Sequence, residues 1–208
     1  MSYFGGLCSP FVGLYCAAPG RNIFSVLIAG LPAFLLAACA SAPKLTYDLN
    51  PVASGFAARG GHGQLAISVP DATLPANSNE IVVRTGPQSV AYLSGAQWAD
   101  KLPSLIQSRL IESFQNAHLL RAVGRPGMLA DATLNTTLRH FDFDAARGEA
   151  SVEISAELVA ASGRIVAGRL FSANVPVASS EPFAVAAALD AALARVMREI
   201  VLWTAPKI

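Results

Sequence analysis

Hydrophobic positions along the chain fall into three patterns: one unbroken apolar run near the start, short alternating stretches in the middle, and two stripes at helical spacing. The unbroken run covers 23–38, sixteen uncharged and mostly apolar residues after Arg21 and Asn22. It closes on Leu36, Ala37, Ala38 and Cys39; the competing readings are an uncleaved membrane anchor, which needs about 20 apolar residues, and an ordinary secretory signal cut near Ala38 or Ala40. Residues 65–69 alternate apolar and small polar side chains before Pro70 and predict a first strand. The β-rich runs 81–84 and 90–93 flank Thr85, Gly86, Pro87 and Gln88, which predicts a hairpin.

Trp98, Leu102, Leu105, Ile106, Leu110 and Phe114 recur at steps of three and four, predicting a helix over 98–116 with Pro103 near its start. A loop through Gly124, Arg125, Pro126 and Gly127 leads to a strand over 132–144. Val152, Ile154, Ala156 and Leu158 alternate with Ser151, Glu153, Ser155 and Glu157, the signature of a strand buried on one face. A turn at Ala161, Ser162 and Gly163 returns the chain into 164–175. Phe183, Ala186, Leu189, Leu193, Val196, Ile200 and Trp203 then mark a long amphipathic helix opened by Ser180, Glu181 and Pro182. The expected fold is α+β: a mainly antiparallel sheet with two helices packed on one face, preceded by a lipoprotein signal peptide and a flexible tether.

Composition narrows this picture. The chain is 53% hydrophobic and 14% charged, yet after Cys39 no apolar run is long enough to span a bilayer. Removing Arg21 with the leader leaves 15 − 1 = 14 Lys and Arg against 14 Asp and Glu, so there is no basic field for nucleic acid. The three cysteines, Cys8, Cys16 and Cys39, all lie at or before position 39, which excludes a disulfide framework downstream.

The segment ending in Cys39 resembles a bacterial lipobox, in which small residues precede a thiol that receives diacylglycerol before cleavage. Leu7 and Tyr15 before Cys8 and Cys16 do not suit that role; Leu36, Ala37 and Ala38 do. The expected organisation is a signal peptide over 1–38, a lipidated tether over 39–63 and a folded domain over 64–208. Within the signal peptide, 1–20 form an uncharged leader that a start codon set too far upstream explains. Ala40 and Ser41 follow the cysteine without the Asp that retains many lipoproteins at the inner membrane, so the sorting rule points to the periplasmic face of the outer membrane.

Candidate chemistry is sparse. His62, His118 and His140 lack the paired spacing of a zinc helix, and Gly60, Gly61, His62 and Gly63 lack the Lys and hydroxyl residue of a phosphate loop, which leaves them to the tether. Asp142 and Asp144 share one face of a strand and are candidates for calcium or for paired carboxylates, though a solvated strand end is the simpler reading. No nucleophile elbow occurs, and Asn135, Thr136 and Thr137 form an incidental glycosylation sequon. Neither enzymatic activity, a cofactor nor a metal is expected. Arg84, Tyr92, Trp98 and Trp203 remain as candidates for an apolar recess or partner surface, the two tryptophans doubling as core candidates.

Residues 81–126 resemble the central signature of the ABC-type transport auxiliary lipoprotein family: a V-A-Y-L strand at 90–93, then W-A-D-x-L-P-x-L-[IV]-Q at 98–107, then Ile111 to Phe114. The resemblance implies a non-enzymatic lipoprotein whose partners are an ABC permease and ATPase and an MCE-domain protein. It implies a system moving phospholipid or another hydrophobic molecule between membranes, with self-association open. An alternative is a structural or assembly lipoprotein for an outer-membrane barrel or a lipopolysaccharide-export component.

Overall fold

The computed structural model describes residues 43–208 apart from Met128. Cys39 and the lipobox residues Leu36, Ala37 and Ala38 therefore lie outside the described residues, as does the expected signal peptide.

Eight strands and two helices follow in the order β1 (Leu45–Tyr47), β2 (Gln64–Ile67), β3 (Glu80–Gly86), β4 (Ser89–Trp98), α1 (Leu102–Ala117), β5 (Ala122–Gly124), β6 (Ala132–Asp144), β7 (Glu149–Ala160), β8 (Ile165–Pro176) and α2 (Pro182–Thr204). The architecture is α+β, but the sheet is mixed rather than mainly antiparallel. Hairpins give the antiparallel pairs β3–β4, β6–β7 and β7–β8, whereas β1–β4, β2–β5, β2–β6 and β3–β6 are parallel. The chain between β3 and β6 contains α1, and such a crossover returns the chain to the end from which it started. Local alternation reveals a strand but not the direction of its neighbour, which is why sequence reasoning misses the parallel pairs.

β6 is the spine. One of its edges pairs with β7 along the whole length, from Ala132↔Ala160 to Asp144↔Glu149. The other edge is shared end to end, with β2 beside Ala132 to Leu134 and β3 beside Asp142 to Asp144. Inward residues of β6 and β7, among them Leu134, Leu138, Phe141, Val152, Ile154 and Leu158, form one core with Leu105, Ile106, Leu110 and Phe114 of α1 and Leu189, Leu193, Met197 and Ile200 of α2. Both helices begin with Pro at N1 or N2, where the lost backbone donor would have had no intrahelical partner. His118 closes α1 in the left-handed conformation at φ 52°.

Two expectations need correction here. Trp98 does not open α1; it is the last residue of β4, fully buried, with its ring edge-on to Phe141 at 5.8 Å. The Trp98 and Ala99 amides donate to Asn79 O (2.7 Å) and Tyr47 O (2.8 Å), so the chain is committed to the sheet until Pro103 fixes the helix start. The step of four from Trp98 to Leu102 reflects a shared core, not a shared helix.

The second correction concerns the tether. From Leu45 onward the segment read as a free tether is part of the fold. β1 pairs with β4, and Leu49 and Val52 are buried. Main-chain groups of this strap are held by side chains of both helices: Ser113 Oγ accepts from Val52 N (2.9 Å), Asn116 Nδ2 donates to Val52 O (3.2 Å) and Asp190 Oδ1 accepts from Asn50 N (2.8 Å). Arg198 donates to the carbonyls of Ser54 and Gly55, both at 2.8 Å. Gly60, Gly61 and Gly63 serve close packing: a Cβ on Gly61 would collide with the carbonyls of Ala205 and Ile208, and one on Gly63 with the Ile208 side chain.

Candidate functional site: a polar recess on the helix-free face

A register shift in β6 between Leu138 and His140 sets this site. Before it, Ala132, Leu134, Thr136 and Leu138 point inward; after it Phe141 and Phe143 do, so His140 and Asp142 are turned onto the face that carries no helix. β3 lies parallel to this end of β6 with Arg84 beside Asp144 in register.

The Arg84 guanidinium grips Asp142 with two bonds, Nε to Oδ1 at 3.2 Å and Nη2 to Oδ2 at 3.0 Å. The Asp142 side chain is only 6% exposed and that of Arg84 is 27% exposed. Hydrogen bonding to Asp142 raises the Arg84 pKa above its ordinary value, which fixes the charge. Nη2 also lies 3.3 Å from His140 Nδ1, which is itself 3.5 Å from Asp142 Oδ2. Asp144 Oδ1 accepts from the amides of Ala146 and Arg147, both at 3.0 Å, and so organises the turn between β6 and β7. Around these groups is an open recess of about 340 Å³ whose far wall is Ser151 and Asn174, joined by a 3.0 Å bond from Ser151 Oγ to Asn174 Oδ1.

Chemically, the recess is a bracket. Its arginine and its innermost carboxylate are spent on each other, and the hydroxyl of Ser151 donates to an amide oxygen rather than to a base. The solvated strand end expected at Asp142 is instead a buried ion pair, because β3 supplies a cation that sequence spacing does not reveal. Among the described residues no group of three His, Cys, Asp or Glu side chains is gathered as metal ligands. His62 lies in the loop before β2, His118 caps α1 and His140 lines the recess. Asn135 is exposed and its Oδ1 accepts from Ser68 Oγ at 2.9 Å.

Of the four candidate surface residues, the structure does not assemble a site. Trp98 is core, Arg84 is in the bracket, and Tyr92 is about half exposed on β4. Trp203 is half-buried, edge-on to Phe171 at 5.5 Å with Lys207 at 4.7 Å over its ring. Sequence reasoning did not find the ion pair of the strap, Asp48 Oδ2 to Arg109 Nη2 at 2.7 Å. That hydrogen bond holds the Asp48 carboxyl below the usual carboxylate range.

Residues 47–201 match the family described as ABC-type transport auxiliary lipoprotein component. The chain belongs to that family. Membership makes this auxiliary lipoprotein a cell-envelope protein. It is similar to the uncharacterized protein bll6063 of Bradyrhizobium diazoefficiens, 38% identical over 173 residues. That match covers 79% of this chain and 46% of the relative, so the chain spans about half the length of that curated relative. Among solved structures it is similar to protein XCC0632 of Xanthomonas campestris at 29% identity and TM-score 0.71, covering 78% of this chain and 95% of that one. A second crystal structure, of an uncharacterized protein, shares the fold at 17% identity and TM-score 0.64, covering 77% of this chain and 97% of that one.

Proposed function

We propose that this auxiliary lipoprotein is the lipid-anchored docking component of an MCE-type ABC transport system, acting at the periplasmic face of the outer membrane. Acyl chains on Cys39 hold it there. The domain receives the end of an MCE assembly whose permease and ATPase sit across the envelope, and the cargo is phospholipid or another hydrophobic molecule. Enzymatic chemistry has no part in this role.

The observation that carries the reading is the family match over 47–201, placed directly after a lipobox that ends at Cys39. Two acyl chains already give stable membrane attachment, since each buried methylene contributes about 0.8 kcal/mol. The recess agrees with a scaffolding role, because its innermost charges, Arg84 and Asp142, neutralise each other.

The test is co-purification from the native envelope together with mass spectrometry of the N-terminal peptide. Expected are a triacylated Cys39 and recovery of a permease and an MCE partner. An unacylated terminus overturns the anchor, and recovery of an outer-membrane barrel in place of the MCE partner overturns the transport role in favour of assembly.

A further inference from the structure

The two ends of the domain differ in whether the Cys39 anchor can reach them. β1 runs parallel to β4 with Leu45 beside Ala96 and Tyr47 beside Trp98, so the N-terminal end of β1 faces the same way as the Ser89 end of β4, where the hairpin turn lies. Cys39 lies six positions before Leu45, which limits their distance to about 21 Å. The opposite end, where β6 begins at Ala132, lies the other way: β1 is level with Trp98, which packs on Phe141, and β6 from Phe141 back to Ala132 is roughly 30 Å long.

The reachable end is built from three connections. Ala145 N donates to Arg84 O at 3.0 Å, which sets the turn between β6 and β7 beside the β3–β4 hairpin. Val177 N donates to Gly148 O at 2.8 Å, which brings the end of β8 to the same place, and α2 starts at Pro182 shortly after. Large apolar side chains stand out from these elements: Val90 is 47% exposed, Tyr92 51% and Phe183 73%, with Leu45, 62% exposed, on the approach. Val90 and Tyr92 are on the β4 hairpin arm and Phe183 is in the first turn of α2. Of the nearby charges, Arg84 pairs with Asp142 and Arg147 with Asp144 while Glu149 adds a further negative charge, so an anionic surface finds no basic patch here.

We infer that this end of the domain rests on the lipid surface that holds the Cys39 anchor, with Val90, Tyr92 and Phe183 seated at headgroup level. The orientation rests on the acylation of Cys39 proposed above. A short tether confines the domain near the bilayer, and side chains with an apolar body suit the interface between headgroups and acyl chains. The far end, with Leu129 and Ile165 exposed, then faces away from the membrane.

The test uses the full chain, processed in its native envelope and reconstituted in phosphatidylethanolamine and phosphatidylglycerol vesicles. Acylation consumes the Cys39 thiol and cleavage removes Cys8 and Cys16, so single cysteines can carry a fluorophore at Val90→Cys, Phe183→Cys and Arg147→Cys, with Leu129→Cys and Ile165→Cys at the far end. Arg147 is in an exposed turn and reports even if a change at the hairpin disturbs folding. Lipids spin-labelled near the headgroup should quench positions 90, 147 and 183 at least about twofold and leave 129 and 165 nearly unquenched. Raising salt from about 0.05 to about 0.5 M should leave the pattern unchanged, as expected for apolar contact. Equal quenching at both ends, or stronger quenching at 129 and 165, with acylated Cys39 confirmed by mass, overturns the orientation and spares the anchor. A missing acyl group overturns both.

Discussion

The β6–β7–β8 slab and the N-terminal strap belong to one fold but are held by different means. In the slab, long strands pair along nearly their whole length, with one register shift at Leu138/His140 and one at Leu158/Val159, and every second residue along the middle of β7 enters the core; Val152, Ile154, Ala156 and Leu158 are all buried. The strap makes three ladder pairs in β1 and thereafter depends on individual side chains of α1 and α2 reaching its backbone, with only Leu49 and Val52 fully inserted. Area holds the first and points hold the second. It follows that damage to the slab should be global and damage to the strap local.

The largest effect is expected in the slab. Ile154→Ala should cost about 3 kcal/mol and lower Tm by about 10 °C in calorimetry, since the methyl groups removed are fully buried between strand and helix. A loss below about 1 kcal/mol would show that this layer is less tightly packed than its burial implies.

Next comes the bracket. Arg84→Met leaves Asp142 buried without its cation and should cost about 2 to 3 kcal/mol, read from urea unfolding. Adding Asp142→Leu should recover most of that loss, because the penalty lies in the stranded charge rather than in the missing attraction.

The strap sharpens the contrast. Asp190→Ala removes the two bonds to Asn50, Oδ1 from the backbone N at 2.8 Å and Oδ2 from Nδ2 at 2.9 Å. The expected outcome is faster hydrogen exchange over 49–56, about tenfold, with exchange in β7 unchanged. Equal acceleration in β7 would break the comparison, because strap and slab would then open together.

The smallest effect belongs to Asp48→Asn, at most about 1 kcal/mol because the Asp48 side chain is 55% exposed and water screens the pair. Its sign with pH is fixed. The Arg109 hydrogen bond depresses the folded-state pKa of Asp48, so the stabilisation is full above the ordinary carboxylate pKa and lost as pH falls through the depressed value. The gap between the wild type and Asp48→Asn, followed by thermal denaturation, should therefore close in strong acid.

The same division explains what could be read from residues alone. β6 was expected over 132–144 and is Ala132–Asp144, and α2 begins at Pro182 as its Ser180, Glu181 and Pro182 opening predicts. Strand alternation and helical stripes are local records of a core on one side. The strap leaves no such record: Leu49 and Val52 are three apart, and their partners Asn116, Asp190 and Arg198 are polar residues on helix surfaces that spacing cannot assign. At the recess, Asp142 and Asp144 were legible as residues on one face. Arg84 was singled out, but not as their partner, since a parallel pairing across 58 residues has no local sign. The register shift at His140 has none either.

Under the anchoring proposed above, β1 also decides how the domain bears a pull from the membrane. Its three pairs with β4, Leu45 to Ala96, Thr46 to Gln97 and Tyr47 to Trp98, follow one another at the first strand of the described residues. Tension from the anchor would load them side by side in shear instead of peeling them one at a time, and the α1 and α2 clasps would back them up. Forces from a moving envelope would then spread into the body of the fold near the point where they enter, leaving the far surface mechanically quiet for whatever docks on it.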